Sequence, residues 1–153
     1  MKLTSRGELA LKAVLELAKA HHTAAPGLTA REIARRCNAS PKFVEQVMAQ
    51  LKAGGYVLSR LGARGGYRLA RDPEQMFLGE VSRLIDGPLA PAPCASLIQH
   101  RTCDWCSDEA TCVLKSVWTD VREAVAGVMD RVSFGDLVRR AEAEQRSLGS
   151  YSI

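Results

Sequence analysis

The stretch that decides the fold runs from Thr29 to Val57 and reads TAREIARRCNASPKFVEQVMAQLKAGGYV. Thr29 and Glu32 have the spacing of a capping box, which predicts the start of a short helix. Ser40 is a favoured N-cap and Pro41 suits the first helical position, so a second helix should begin after a tight turn. Two helices joined in this way are typical of a helix-turn-helix.

The segment that follows predicts a two-stranded hairpin. Tyr56–Ser59 and Tyr67–Leu69 have strand-forming residues, and a glycine-rich turn at residues 62–66 lies between them. A hairpin directly after a helix-turn-helix is a wing, and Arg60 and Arg64 would make this one basic.

Amphipathic helices are also predicted on both sides of this unit. Ser5 and Glu8 match a capping box, and apolar residues recur at helical spacing after them. A later helix should cover residues 78–85 and end at Gly87, which precedes a proline.

Four of the five cysteines lie within 19 residues, and they are Cys94, Cys103, Cys106 and Cys112. Clustered thiolates suit zinc or an iron–sulfur cluster. Structural zinc sites usually have two close cysteine pairs and ferredoxins have a closely spaced run, and this spacing matches neither. The residues alone therefore leave iron–sulfur, zinc and a thiol switch open. The fifth cysteine, Cys37, is expected to be a small core residue.

A long helix should begin near Cys112. The helix dipole at this N-terminus would lower the pKa of the Cys112 thiol. Its apolar residues alternate steps of four and three, which makes a heptad seam. The seam consists of Leu114, Trp118, Val121, Val125, Val128 and Val132. Packing within its own domain is one role for such a helix. We expect a homodimer instead, because helix-turn-helix proteins usually pair to read two half-sites.

The charge is divided between the two halves of the chain. Residues 1–71 have a net charge of +9 and residues 72–153 a net charge of −5, within an overall +4. A basic half suits a polyanion such as double-stranded DNA, although a solvated basic surface is the alternative. Residue type and position predict contacts with bases or phosphates. The predicted DNA-binding residues are Thr29, Ser40, Pro41, Lys42, Glu45, Gln46, Arg60 and Arg64.

Several function classes find no support in the sequence. It has no run of 18 apolar residues that would span a membrane, and its start has no secretory leader, which predicts a cytoplasmic protein. It also has no catalytic Ser/His/Asp set, phosphate loop or paired carboxylates. We therefore expect neither an enzyme nor a small-molecule substrate.

The predicted fold class is mainly α. A winged helix-turn-helix DNA-binding domain with a two-stranded wing should occupy residues 1–72. A helix, a cysteine-cluster loop and a long C-terminal dimerisation helix should occupy residues 73–143, and a flexible tail residues 144–153.

The sequence resembles the IscR/NsrR-type family of bacterial winged-helix regulators over nearly the whole chain. The resemblance rests on residues 1–4, 29–37, 40–46, 51–57, 65–70, 87–91 and 117–118. It implies dimeric repressors or activators in which an iron–sulfur cluster loop precedes a dimerisation helix. Three ligand cysteines are usual there, and Cys94, Cys106 and Cys112 fit them best. We favour a 4Fe–4S over a 2Fe–2S cluster.

The fourth ligand is where this chain departs from its relatives. Those that use a histidine have it three residues after the last cysteine, where this chain has Lys115. Others borrow an acidic residue from the partner's first helix, and Glu8 occupies that place. We favour Cys103, because a thiolate is the softer ligand. In the wing, Leu61 stands where relatives tend to have arginine.

These observations predict a DNA-binding transcription regulator, a repressor rather than an activator. A cysteine-ligated iron–sulfur cluster that senses iron, redox state or nitric oxide would control its operator affinity. One alternative is a zinc-stabilised regulator without sensing. The other is an iron–sulfur carrier or electron-transfer protein, which would not need the basic N-terminal half.

Overall fold

The computed structural model describes residues 3–25, 27–60, 62 and 65–149. These residues form six α-helices and one two-stranded antiparallel sheet, with short 3-10 turns at Pro73–Gln75 and Pro93–Ala95. In chain order the elements are α1 (Ser5–His22), α2 (Ala30–Cys37), α3 (Pro41–Ala53), β1 (Val57–Arg60), β2 (Gly66–Leu69), α4 (Leu78–Asp86), α5 (Val113–Met129) and α6 (Phe134–Gly149). The predicted fold class is confirmed.

The helix-turn-helix forms because its capping signals are local. The Thr29 hydroxyl accepts a hydrogen bond from the Glu32 N–H at 3.2 Å, and the Glu32 carboxylate accepts from the Thr29 N–H at 2.7 Å. Asn38 ends α2 in the left-handed conformation, which asparagine tolerates well. The Ser40 hydroxyl then accepts from the Phe43 N–H at 3.2 Å and starts α3. All of these signals lie within a few residues of the helix end that they cap.

The start of α1 corrects one prediction. Thr4, not Ser5, is the N-cap, and its hydroxyl accepts a hydrogen bond from the Gly7 N–H at 3.1 Å. Asp86 of α4 decides this choice, because its carboxylate accepts from the Thr4 N–H at 3.2 Å and from the Thr4 hydroxyl at 2.5 Å. Glu8 forms an ion pair with Lys12 at 2.7 Å instead of completing a capping box.

The wing is fastened to the loop that precedes α2. β1 and β2 pair in register from Val57 with Leu69 to Arg60 with Gly66. The backbones of Leu28 and Tyr67 also exchange hydrogen bonds of 3.0 and 2.7 Å. The backbone at Gly66 has a positive φ of 146° and lies so close to Leu28 that a Cβ there would be 2.8 Å from its carbonyl oxygen. Glycine at this position therefore lets the wing join the helix-turn-helix.

One hydrophobic cluster crosses the predicted boundary at residue 72. Helix α1 is at its centre and packs against α2, α3, α4, α6 and β2. Met76, Val81, Phe134 and Val138 from the second half join this cluster and are 0 to 5% exposed. The two halves are therefore packed on a common core.

The C-terminal helices differ from the prediction at their ends. α5 ends at Met129, so the last seam residue, Val132, lies beyond it, where its carbonyl accepts from the Leu78 N–H at 3.2 Å. Ser133 and Asp136 cap α6, with hydrogen bonds of 2.9 and 3.0 Å between them. α6 then continues to Gly149, whereas a tail from residue 144 was predicted.

Candidate nucleic-acid interface and cysteine site

Helix α3 divides cleanly into a buried and an exposed face. Val44, Val47, Met48 and Leu51 are fully buried in the core. Pro41, Lys42, Glu45, Gln46 and Gln50 are exposed. The side chains that could read base edges are therefore on the surface, and apolar packing behind them holds the helix in place.

The two helix caps beside this surface are also exposed. Thr29 and Ser40 each accept a hydrogen bond from their own helix. The Ser40 hydroxyl keeps its proton, which it could donate to a phosphate oxygen. Pro41 has no N–H and the Phe43 N–H donates to Ser40, so the Lys42 N–H is the first-turn donor of α3 that suits an anion.

A polar contact ties the wing to α3. The Lys52 ammonium donates to the Ser59 hydroxyl at 2.6 Å, which links the end of α3 to β1. Arg60 is exposed at the end of β1, and Arg68 is exposed on β2. Arg64, which was predicted to contact DNA, lies outside the described residues.

The cysteine loop connects α4 to α5 and contains one 3-10 turn. Cys94 lies in that turn and is 8% exposed. Cys103, Cys106 and Cys112 are half-buried, and Cys112 is the N-cap of α5. The Cys106 N–H donates to the Cys103 carbonyl at 3.1 Å, which closes a tight turn between the two.

The Cys106 and Cys112 thiols shift each other's pKa. Burial raises the pKa of Cys106, and so does a hydrogen bond that the Cys106 thiol donates to the Cys112 sulfur. The pKa of Cys112 is lowered, chiefly by the backbone N–H of Lys115 at the start of α5, as expected for a thiol at a helix N-terminus. The Lys115 ammonium interacts electrostatically with Cys94 and Cys106. The loop therefore brings the four cysteines into one region.

A carboxylate that the sequence analysis missed lies beside this region. Glu109 accepts hydrogen bonds from Lys115 at 2.6 Å and from His100 at 2.8 Å. Lys115, which replaces the histidine ligand of some relatives, is thus an ion-pair partner. Glu8, the alternative fourth ligand, is exposed on α1 and paired with Lys12. No local sequence signal marks Glu109, because both contacts depend on how the loop folds.

The donor chemistry of the loop suits a thiolate-ligated metal group. Four thiols, a lowered pKa at Cys112 and a nearby ammonium group all favour an anionic cluster. Within the described parts of the chain, however, no three histidine, cysteine or acidic side chains are arranged to hold a single metal ion. The ligand types fit, and their arrangement around a cluster stays a prediction.

None of the helices among the described residues is long and apolar enough to cross a membrane.

Comparison with known proteins gives a consistent result. Residues 3–140 match the family Rrf2, described as an iron-dependent transcriptional regulator. A putative rrf2-like HTH-type transcriptional regulator of Rhodobacter capsulatus is 36% identical over 89% of this chain and 91% of its own length. The HTH-type transcriptional regulator CymR of Bacillus subtilis is 30% identical over 99% of both chains.

Solved structures resemble the fold as well. The structure of CymR, named as the global cysteine regulator of B. subtilis, has a TM-score of 0.75 at 28% identity and covers 92% of this chain and 98% of that one. The structure of T. potens IscR has a TM-score of 0.72 at 28% identity and covers 95% and 91%.

Proposed function

Because the chain belongs to the Rrf2 family of transcriptional regulators, we propose that it is a homodimeric repressor whose operator affinity is controlled by an iron–sulfur cluster. The observation that carries this proposal is the cysteine loop, which gathers four thiols directly in front of α5. The relatives are transcriptional regulators rather than enzymes. Such a regulator acts in the cytoplasm, where bacterial DNA lies.

The cluster would be held by Cys94, Cys103, Cys106 and Cys112. Their thiolates are soft ligands, and the N-terminus of α5 favours the negative charge of a cluster at Cys112. We favour a 4Fe–4S over a 2Fe–2S cluster, and zinc is the alternative metal. When bound, the cluster would supply a group whose occupancy depends on iron supply, redox state or nitric oxide.

Exposed side chains support the two proposed contacts, one with operator DNA and one with a second copy of the chain. Lys42, Glu45 and Gln46 on α3 would lie against the bases of an operator, and Arg60 and Arg64 of the wing against its backbone or minor groove. Thr29, Ser40 and Pro41 would position phosphates at the helix starts. Leu114, Val121 and Val128 of the α5 seam are exposed in the single chain, so a second copy would bury them.

An anaerobic visible spectrum of the purified protein, with iron and sulfide analysis, tests the cluster. We expect a brown protein with both iron and acid-labile sulfide. A colourless protein that contains zinc would replace the proposal with the zinc-stabilised alternative. A brown protein without duplex binding in either the cluster-bound or the cluster-free form would favour a carrier.

Two matched variants then identify the fourth ligand. If Cys103 is a ligand, Cys103→Ala loses or destabilises the cluster while Glu8→Ala keeps it. The reverse result would assign the site to Glu8 of the partner subunit. Because Glu8 also forms an ion pair with Lys12, melting temperatures measured beside the iron content separate a ligand from a stabiliser of α1.

The likeness to CymR favours a second candidate, a regulator that responds through its thiols alone. Its supporting observation in this chain is that the Cys106 and Cys112 thiols lie near enough to shift each other's pKa, upward for Cys106 and downward for Cys112. If the anaerobic protein lacks iron and mild oxidation of the thiols changes its operator affinity, this candidate replaces the cluster sensor.

A further inference from the structure

Arg122 is a charged residue in an unusual place on α5. Only 13% of its side chain is exposed, although none of the 17 residues of α5 counts as buried. A buried guanidinium loses hydration and needs hydrogen bonds to replace it. The low exposure of the Arg122 side chain therefore needs a structural explanation, whereas the exposed residues around it need none.

Its principal contact is to the turn that contains Cys94. The Arg122 Nη1 donates to the Ala95 carbonyl at 2.7 Å, across 27 residues of sequence. The other terminal nitrogen pairs with Glu123 on the same helix. The Nε is buried and has no hydrogen-bond partner among the described residues, so the bonds to Ala95 and Glu123 compensate for the burial of the guanidinium.

The turn around Cys94 is closed on itself. The Ser96 and Arg101 N–H groups both donate to the Pro93 carbonyl, at 3.2 and 3.3 Å. The Ser96 hydroxyl accepts from the Gln99 N–H at 3.0 Å. These bonds set the shape of the turn, but none of them sets its distance from α5.

The hydrogen bond from Arg122 fixes the distance between this turn and α5 at the end where Cys94 lies. The turn packs against α5, and Arg122 donates to the residue directly after Cys94. At the far end of the turn, His100 contacts Glu109, which also binds Lys115 of α5. Because Cys112 is the N-cap of the same helix, a bond from α5 to Ala95 holds the first and last cysteines of the loop in a common frame.

We propose that Arg122 is a positioning residue that clamps the Cys94 turn onto α5 and so presents Cys94 to the same site as Cys112. The role of Arg122 in placing a cluster ligand rests on the proposed function. The hydrogen bond that holds the turn on α5 does not depend on a cluster. A guanidinium suits the role because its planar fork can hold a carbonyl and a carboxylate at once.

Arg122→Met tests the clamp, because methionine keeps much of the apolar stem and removes the donors. In reduced, cluster-free protein, site-resolved alkylation by iodoacetamide should label Cys94 about tenfold faster or more, since the turn opens locally. Cys37, which is half-buried beside the core of the helix-turn-helix half, is the internal reference and should label at its original rate. The control Glu123→Gln removes the neighbouring carboxylate, keeps the bond to Ala95 and should leave the labelling of Cys94 unchanged.

Unchanged labelling of Cys94 in Arg122→Met overturns the clamp. If Cys37 also labels faster in that variant, the fold has loosened, and Arg122→Lys decides. Lysine keeps the charge and a donor, so slower labelling of Cys94 than in Arg122→Met, with Cys37 at its original rate, supports the clamp. Labelling of Cys94 and Cys37 that rises in step in Arg122→Lys overturns it.

The cluster gives the second measurement. In reconstituted protein, Arg122→Met should release iron to a chelator several times faster than Glu123→Gln. Equal iron release in a variant whose Cys94 labels faster would overturn the link between the clamp and the ligand site. A wild-type protein that binds no cluster would refute the proposed function and leave the labelling result standing by itself.

Discussion

Asp86 shows how one residue joins the two halves of this chain. Its carboxylate receives the N–H and the hydroxyl of Thr4 and lies over Gly7 in the first turn of α1. A Cβ at Gly7 would be 1.9 Å from an Asp86 oxygen, so glycine is needed here for space rather than for backbone freedom. Asp86 also ends α4, from which the cysteine loop departs.

Gly7→Ala should therefore destabilise the protein, although alanine is usually the better helix former by about 1 kcal/mol. The new methyl group displaces Asp86 from Thr4, and we expect a net loss of about 1 to 2 kcal/mol in the free energy of unfolding. Urea denaturation measures it.

The same change in an Asp86→Ala background is the matched control. There the methyl group meets no carboxylate, so Gly7→Ala should become stabilising and the two changes should be non-additive. Additive effects would contradict the contact.

Asp136 predicts a pH dependence. Hydrogen bonds from the Ser133 backbone and hydroxyl, and then Arg139, lower the pKa of Asp136 from its ordinary 3.8 to about 2. A carboxyl with a lowered folded-state pKa stabilises the fold at neutral pH, and this contribution is lost as the pH falls from about 4 towards 2. Asp136→Asn should therefore destabilise the protein at pH 7 and do so progressively less below pH 4.

Urea denaturation across this pH range checks the prediction, with Glu144→Gln on the same helix as the control. Glu144 is exposed and should show little effect at any pH. A stability difference for Asp136→Asn that stays constant from pH 7 to pH 3 would rule out the ionised cap as its cause.

At the scale of elements, α3 is the part that the sequence predicts best. Its N-cap, its first residue, its buried stripe and its end all follow from signals within the helix or next to it. The start of α5 is predicted too, but α5 ends before Val132, the last residue of the predicted seam, and the largely buried Arg122 breaks the expected pattern. A periodicity of apolar residues carries no information about a charged side chain that binds a distant carbonyl.

Helix α3 also carries the prediction about DNA. Lys42→Ala should weaken operator binding and reduce the slope of log affinity against log salt by about one, because one phosphate contact is lost. Arg140→Ala removes one positive charge from the exposed surface of α6 and should leave the slope unchanged. Gel-shift titrations at several salt concentrations measure both, and an equal slope for Lys42→Ala and the wild type would exclude a phosphate contact at Lys42.

Glu45→Ala tests base reading by the same helix. A carboxylate rejects bases that lack a hydrogen-bond donor, so alanine should relax the base preference of the site. The ratio of specific to non-specific binding should fall, as measured by competition with unrelated duplexes. A preserved ratio would mean that Glu45 reads no base.

At the scale of the whole molecule, α5 is the element that lacks a covering layer. Leu114, Val121 and Val128 are 58, 39 and 62% exposed, and they lie along the predicted seam. The positive net charge of the first half agrees with a contact to DNA.

Val121→Asp and Val125→Asp should therefore dissociate a dimer, because each buries an unpaired charge in the seam. Sedimentation equilibrium should show monomers for both variants, or unfolded chains if the monomer is unstable alone. Ser116→Asp adds the same charge on α5 away from the seam and should remain dimeric. If both valine variants are still dimers, the seam is not the interface.

The sequence by itself determined the winged helix-turn-helix, the extent of α3 and the start of α5, and it singled out the cysteines as candidate ligands. These features depend on caps, turns and periodicities that act within about one or two helical turns, so they are present in any local stretch.

Only the tertiary structure decided the rest. It made Thr4 the N-cap through Asp86, joined the halves in one core and placed Arg122 on the turn of Cys94. Each of these depends on groups that are distant in sequence and become neighbours only when the chain has folded. Their free energy comes from burial and hydrogen bonds that no local pattern encodes.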